Sequence, residues 1–248
     1  MIDYFYTRLK KLDDFSPGDE TNDIFSSLCK YAMQTQGEPE LGEKVYAINK
    51  FCSIGEYEME KYYAKKIILS DNSELELLNF IYYQNYLDLT NLEYLNISFF
   101  GDIKNILFIG GGPLPLTSII LAKKYKIKSK IIDIDPEAVD ISKKLIISLG
   151  LQDYIDISLS DAIYYEDKDN YDLCYIASLV FLSDDCERIL SNIVKINFKF
   201  ILTRTSDGYR QLLYKKIDLE LLKNFFDMKL IVHPKNNIIN SFILSTKK

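Results

Sequence analysis

The second half of the chain alternates short apolar runs with helical segments, and this alternation restricts the possible folds more than any other feature. Apolar runs of this length between turn residues are typical of buried parallel strands. The predicted strands are Ile106–Ile109, Ile131–Ile134, Ile155–Leu159, Leu173–Ala177, Phe198–Leu202, Lys229–Val232 and Ser241–Ser245. Helices between such strands favour an open parallel α/β sheet. We therefore predict a Rossmann-type domain over residues 101–248.

Residues 1–100 show no such alternation and read as helices. Apolar side chains recur at helical spacing from Tyr46 to Leu69, and a second helix is predicted from Glu74 to Leu87. The polar residues 70–73 separate the two segments. We predict that residues 1–100 form an N-terminal helical domain that covers the active site.

A glycine-rich loop, Gly110-Gly111-Gly112-Pro113, directly follows the first predicted strand. Only glycine allows a ligand to approach the backbone closely at such a turn, although a tight strand–helix connection would use the same residues. The loop is not a regular GxGxxG motif, because Pro113 stands within it. It nevertheless predicts the binding of a nucleoside-containing ligand.

Acidic residues follow the second and third predicted strands. Asp133 stands about 20 residues beyond the glycines, where an acidic residue hydrogen-bonds ribose hydroxyls. Its neighbour Asp135 is better explained as the N-cap of the helix that Pro136 opens. Asp161, before Ala162, occupies the position that contacts the adenine amine in many S-adenosylmethionine-binding Rossmann domains; a solvated loop acid is the alternative. The carboxyl ends of parallel strands lie at one edge, so these residues predict one site.

Composition narrows the classes of partner and cofactor. The net charge of −6 argues against a nucleic-acid partner. Four separated cysteines and a single histidine, His233, do not favour a metal site. Charged residues at positions 3, 8, 10 and 11 argue against a signal peptide, and no apolar run is long enough to cross a bilayer. We expect a cytoplasmic protein with free thiols and no membrane or metal partner.

Four segments together resemble the nicotianamine synthase family. The loop Phe108–Thr117, with its Gly-Pro-Leu-Pro-Leu-Thr string, is the most specific, because ordinary methyltransferases lack it. Phe80–Leu89 resembles the family's tyrosine-rich helix, and Arg204–Tyr214 resembles its Arg…Gly-x-Arg-x-x-Leu-Tyr motif. His233-Pro234 with Asn240-Ser241 is similar to the end of the plant enzymes. The resemblance covers residues 45–248, and residues 1–45 match no pattern at this stage.

The resemblance implies a class I S-adenosylmethionine-dependent transferase fold and a particular chemistry. In the family, an amine attacks the γ-carbon of the 3-amino-3-carboxypropyl arm and methylthioadenosine leaves. A glutamate on the helical domain deprotonates the amine and a tyrosine orients it or relays its proton. The glutamate corresponds to Glu60, with Glu58 and Glu56 as nearby alternatives, and the tyrosine corresponds to Tyr86.

Further residues are candidates for holding the substrate. Arg204, at the end of the fifth strand, offers a planar guanidinium for a carboxylate, unless an acidic neighbour pairs with it. Arg210 is a second candidate that fits a helix and a local acid equally well. Tyr83 is assigned to substrate binding, although it could simply pack. His233 is interpreted as a loop residue.

The sequence therefore predicts an enzyme that uses S-adenosylmethionine as co-substrate and transfers its aminocarboxypropyl arm to an amine or amino-acid acceptor, in metallophore biosynthesis. A small-molecule methyltransferase and a non-catalytic nucleoside-binding module remain as alternatives.

Overall fold

A computed structural model describes all residues, 1–248, and it begins with a run of helices before the first strand. These helices are α1 (Ile2–Leu9), α2 (Asp19–Gln34), α3 (Glu43–Leu69), α4 (Ser73–Leu78) and α5 (Tyr83–Ser98). The predicted helix Glu74–Leu87 is wrong as a single element, because the chain turns between α4 and α5. Phe80 occupies this turn with 3% of its surface exposed and packs edge-on against Tyr63, so burial of its ring overrides helix propensity there.

The rest of the chain forms one seven-stranded sheet with four further helices. Its strands are β1 (Asn105–Ile109), β2 (Lys128–Asp133), β3 (Ile155–Leu159), β4 (Asn170–Ile176), β5 (Asn197–Thr205), β6 (Phe226–Val232) and β7 (Ser241–Lys247). Its helices are α6 (Leu116–Tyr125), α7 (Pro136–Ser148), α8 (Cys186–Ile193) and α9 (Leu219–Phe225). All seven predicted strands are present, with ends that differ by a few residues.

The strand order is β3-β2-β1-β4-β5-β7-β6, and β7 alone runs antiparallel to its neighbours. The expectation of an all-parallel sheet therefore fails at one edge. The reason is the short connection from β6 to β7, which carries no crossover helix and so permits only an antiparallel pair. The strand order reverses between β1 and β4, which is the topological switch point where open α/β sheets bind ligands.

The apolar cores extend across the predicted boundary at residue 100. One cluster joins Ala64 and Ile67 of α3 to sheet residues such as Phe108 and Tyr175. Another joins α1, α2 and α3 to Leu212 and Ile239 of the sheet half. The helical half is thus packed against the sheet half through shared apolar side chains, and the division into two domains stays a prediction.

A buried ion pair also joins the two halves. Glu93 of α5 accepts from Nε and Nη2 of Arg204 on β5, both at 2.9 Å, and neither side chain is more than 7% exposed. Thr117 Oγ1 and the hydroxyl of Tyr175 lie 2.9 and 3.0 Å from the same Nη2. Because the hydrogen bonds are bidentate and fully buried, they fix the orientation of α5 on the sheet.

We predict that Glu93→Ala destabilises the protein by about 3–5 kcal/mol, because it leaves a buried guanidinium without its counter-charge. The control is Lys144→Ala, which removes an exposed pair with Asp140 and should cost less than about 1 kcal/mol. Urea denaturation of both variants gives the comparison. Equal stability of the two variants would contradict the structural role of the Glu93–Arg204 pair.

Candidate active site

The glycine loop between β1 and α6 is held by the carboxylate of Asp133 at the end of β2. Asp133 Oδ2 accepts from the backbone N–H of Gly112 at 2.8 Å, and Oδ1 accepts from the N–H of Asp135 at 2.9 Å. Burial raises the pKa of Asp133, and the backbone donors partly oppose that rise. Asp133 thus fixes the loop and also lines the cavity above it.

Each glycine of the loop stands where a side chain would collide with a neighbour. A Cβ on Gly111 would lie 2.4 Å from Ile131 Cγ2, and one on Gly110 would lie 2.7 Å from Val180 Cγ2. A Cβ on Gly112 would lie 2.6 Å from Oε2 of Glu60, and its φ of +64° is in the left-handed region. The loop therefore lets α3 bring a carboxylate directly against the backbone.

A cavity opens between the glycine loop and the helical half. Most of the predicted site residues line it, from both halves of the chain. They are Glu60, Tyr86, Gly110, Gly111, Gly112, Pro113, Asp133 and Arg204. An adjoining cavity shares Gly110 and Asp133 with it and is lined by Asp161 and Ala162. The structure thus brings residues from the ends of three strands into one continuous region, although Asp161 Oδ1 also accepts from the N–H of Ile163 at 2.8 Å.

Two carboxylates of α3 meet one tyrosine at the wall of this cavity. The Tyr86 hydroxyl lies 3.1 Å from Oε1 of Glu60 and 3.1 Å from Oε1 of Glu56. Burial, and secondly the charge of Glu56, hold the pKa of Glu60 well above its usual range. Burial also raises the pKa of Glu56, against the hydrogen bonds from Tyr214 and Tyr86. A carboxyl with a raised pKa is suited to exchanging protons with an amine near neutral pH.

The two glutamates near Glu60, Glu56 and Glu58, have different surroundings. Glu56 lies one helical turn before Glu60 on the same face and joins the cluster, whereas Glu58 points away and pairs with Lys61 at 2.8 Å. Tyr214, whose hydroxyl lies 3.0 Å from Glu56 Oε1, was quoted only as part of a motif. The i, i+4 spacing of Glu56 and Glu60 was the signal that could have indicated their pairing.

Arg204 and Tyr83 differ from the expectations for them. The Nε–Nη2 edge of Arg204 is occupied by Glu93, so the free fork expected for a substrate carboxylate is absent. Only Nη1, which makes no hydrogen bond to the protein, is left for a ligand in the cavity that Arg204 lines. Tyr83 lines none of the main cavities and packs on the core at the start of α5. Its neighbour Tyr82 lines a cavity instead.

The remaining candidates have structural partners. Asp135 is the N-cap of α7 and accepts from the N–H of Glu137. Arg210 lies in a short 3₁₀ helix and donates to the backbone oxygen of Asn236 at 2.8 Å. His233 lies in the loop after β6, with Nδ1 2.9 Å from Oγ of Ser241.

The structure contains no cluster of three or more His, Cys, Asp or Glu side chains that could hold a metal ion. None of its helices combines the length and apolar character needed to cross a membrane.

A further cavity lies on the other side of Tyr86 between α2, α3 and α5. It shares Glu56, Tyr86, Tyr214 and Asn240 with the cavity above the glycine loop. Its lining is mostly apolar and includes Phe15, Phe25, Met59, Leu89, Leu213 and Ile239. Glu56 is the only charged side chain that lines it.

The strand order and the glycine loop with its acidic partners define a Rossmann-type fold with a nucleoside-binding edge. The structure of a putative S-adenosyl-L-methionine-dependent methyltransferase from Methanococcus maripaludis superposes with a TM-score of 0.56 over 77% of this chain and 94% of that one, at 20% identity. The family model described as nicotianamine synthase protein matches residues 1–248. The chain therefore belongs to the nicotianamine synthase family, and the match includes residues 1–45, to which the sequence patterns had assigned no relative.

Individual relatives agree with this assignment. Nicotianamine synthase 3 of Arabidopsis thaliana is 27% identical over 98% of this chain and 81% of its own length. Nicotianamine synthase of Solanum lycopersicum is 28% identical over the same shares. The crystal structure of MtNAS in complex with MTA and tNA superposes with a TM-score of 0.88 at 24% identity, over 100% of this chain and 97% of that one.

We predict that Gly112→Ala abolishes most activity, because its new methyl group would displace the carboxylate of Glu60. A displacement of about 1 Å in a reacting group can cost on the order of 10²-fold in rate. The matched control is Gly150→Ala, which has the same φ of +64° but no atom within 4 Å of the added Cβ.

Both alanines place a side chain in the left-handed region at a cost of about 1–2 kcal/mol, so thermal unfolding should show similar losses. Turnover of S-adenosylmethionine should separate them. Equal activity of the two variants would show that the close approach of Gly112 to Glu60 is not required.

Proposed function

We propose that this chain transfers the 3-amino-3-carboxypropyl group of S-adenosylmethionine to a small amine or amino-acid acceptor, with release of methylthioadenosine and formation of a nicotianamine-like product. The observation that carries the proposal is the buried Glu60–Tyr86 pair against the glycine loop, within a chain that belongs to the nicotianamine synthase family. The MtNAS structures, in complex with S-adenosylmethionine and in complex with MTA and tNA, support the choice of co-substrate.

The co-substrate occupies the cavity above the glycine loop in this proposal. Its ribose hydroxyls are bound by the lone pairs of Asp133 that the backbone donors leave free, and its adenine extends toward Asp161 and Ala162. Its aminocarboxypropyl arm points toward Glu60 and Tyr86, with its carboxylate near Nη1 of Arg204. This orientation places the γ-carbon, not the methyl group, on the acceptor side.

The reaction then needs one proton acceptor and no redox partner. Glu60 takes a proton from the acceptor ammonium, and the lone pair of the resulting amine attacks the γ-carbon. The bond between that carbon and sulfur breaks, its electron pair stays on sulfur, and the neutral thioether leaves. Tyr86, hydrogen-bonded to Glu60 at 3.1 Å, orients the carboxylate toward the incoming nitrogen. Placing the nucleophile in line with one of three carbons on the sulfonium selects the bond that breaks.

The acceptor reaches this point from the cavity beyond Tyr86. That cavity shares Glu56 and Tyr86 with the co-substrate cavity, so a molecule in it can present its amine to the reacting carbon. Its only charged lining residue is the acidic Glu56, which attracts the ammonium group of the acceptor.

We predict that Glu60→Gln lowers the rate of methylthioadenosine release by about 10² to 10⁴-fold, as expected for the loss of a general base. Binding of S-adenosylmethionine, measured by calorimetry, should change little. Glu58→Gln is the matched control, because Glu58 lies on the same helix but pairs with Lys61 away from the cluster.

The products are identified by mass spectrometry after incubation with S-adenosylmethionine and a pool of amino acids. Full activity of Glu60→Gln would remove Glu60 from the mechanism. Release of S-adenosylhomocysteine in place of methylthioadenosine would favour a methyltransferase.

A further inference from the structure

Four side chains form a continuous line of hydrogen-bonding groups from the glycine loop to the apolar cavity. The line runs from Glu60 through the hydroxyl of Tyr86 to Glu56 and on to the hydroxyl of Tyr214. Its three oxygen–oxygen distances are 3.1, 3.1 and 3.0 Å. Glu60 faces only the co-substrate cavity, whereas Glu56 lines both cavities. The line therefore connects the reacting centre with the apolar cavity.

The number of protons in this line follows from the chemistry of its members. A phenol hydroxyl has one proton to donate, and an ionised carboxylate can only accept. Tyr86 lies within hydrogen-bond distance of both carboxylates but can donate to only one of them. The second contact is a hydrogen bond only if one carboxyl carries a proton and donates it to the Tyr86 oxygen. Three contacts are then satisfied by two phenol protons and one carboxyl proton.

Two arrangements satisfy all three contacts. In the first, Glu60 is protonated and donates to Tyr86, which donates to Glu56. In the second, Tyr86 donates to Glu60, and Glu56 holds the carboxyl proton and donates to Tyr86. Converting the first arrangement into the second moves one proton from Glu60 to the Tyr86 oxygen and another from Tyr86 to Glu56. Tyr86 is therefore neutral in both. Only the second arrangement leaves Glu60 ionised and able to accept a proton.

We propose that Glu56 and Glu60 share one proton through Tyr86, and that Glu56 takes this proton from Glu60 before the acceptor amine is deprotonated. The base is thus the pair rather than Glu60 alone. The proposal rests on the proposed function, since it assigns a role to Glu56 in that reaction.

The charges around the pair favour the first arrangement at rest and the second once a cation arrives. Burial raises the pKa of Glu56, but two hydroxyl donors and the nearby charge of Arg204 oppose that rise, so Glu56 is the better anion in the resting site. Burial and the charges of Glu56 and Asp133 raise the pKa of Glu60. An ammonium beside Glu60 reverses this preference, because it stabilises the Glu60 carboxylate directly. The other titratable groups that Glu56 influences are Cys29, Cys52 and Tyr82.

Once Glu56 has taken the proton from Glu60, the protons can be followed through one turnover. The acceptor ammonium gives one proton to Glu60, so the pair becomes neutral, with one proton on each carboxyl. The amine attacks the γ-carbon and the carbon–sulfur bond breaks, as in the proposed function. Glu56 returns its proton to water through the apolar cavity that it lines, and the proton on Glu60 restores the resting pair.

The test is the pH dependence of the single-turnover rate for the wild type, Glu56→Gln and the control Glu58→Gln. In the wild type, activity is lost as the pH falls and the pair becomes fully protonated. In Glu56→Gln the resting proton has no second site, so Glu60 must itself be ionised for activity. Burial and the charge of Asp133 still raise the pKa of Glu60, so the midpoint of the acid limb should move to higher pH. The plateau above this midpoint should stay within about tenfold of the wild type, because an ionised Glu60 is then present without Glu56. Glu58→Gln should leave both values unchanged.

An acid limb in Glu56→Gln with the wild-type midpoint, or with a midpoint at lower pH, would overturn the proposal. A purely structural role for Glu56 would lower the rate without moving the midpoint. Infrared difference spectra test the pair without turnover: the resting wild type should show a protonated carboxyl band that Glu60→Gln lacks and that titrates at lower pH in Glu56→Gln. Absence of that band would also overturn the proposal. Failure of the proposed function would appear differently, as a wild type that releases no methylthioadenosine.

Discussion

The burial of two carboxylates on one face of α3 is the constraint on which the arrangement of this site depends. Removing Glu56 and Glu60 from water is unfavourable unless hydrogen-bond donors replace the solvent. Tyr86 from α5 and Tyr214 from the segment after β5 supply those donors, and the glycine loop after β1 allows the closest approach. The three segments come from both halves of the chain, so the site exists only when the halves are packed together.

The Glu93–Arg204 pair has a related role at the other end of α5. Its bidentate geometry fixes the helix that carries Tyr86 on the strand that ends beside the co-substrate cavity. The same contact limits what Arg204 can offer to a ligand, since two of its three nitrogens are already engaged by the protein. Arg204, which the sequence suggests as a substrate-binding residue, therefore mainly connects α5 to β5, and one of its nitrogens is available to a ligand.

Much of the fold could be predicted because its signals are local. The apolar runs ending in glycine or aspartate marked the strands, and the Asp135-Pro136 pair marked the start of α7. The antiparallel β7 was missed, although residues 233–240 between the last two predicted strands leave no room for a crossover helix. The turn at Phe80 was also missed, since the gain from burying that ring is a tertiary effect.

The site residues also fall into those that the sequence indicates and those that depend on tertiary packing. The glycine loop and Asp133 were found from motifs, Glu60 and Tyr86 were assigned from the family resemblance, and all of them lie together in the structure. Glu93, the partner of Arg204, is 111 residues away in sequence, and no local pattern indicates such a pairing. Tyr83 was chosen from a run of tyrosines in which the side chains around the turn point in different directions. Such choices depend on the packing of α5, which the sequence alone does not define.

The central claim is that the site selects the γ-carbon of the sulfonium for attack, and isotope labelling tests it most directly. Two preparations of S-adenosylmethionine, one labelled in the methyl group and one in the aminocarboxypropyl carbons, are each incubated with the enzyme and an amine acceptor. The account predicts that the carbon-arm label appears in the product while the methyl label stays with methylthioadenosine. Methyl label in the acceptor product would contradict it and would identify the protein as a methyltransferase.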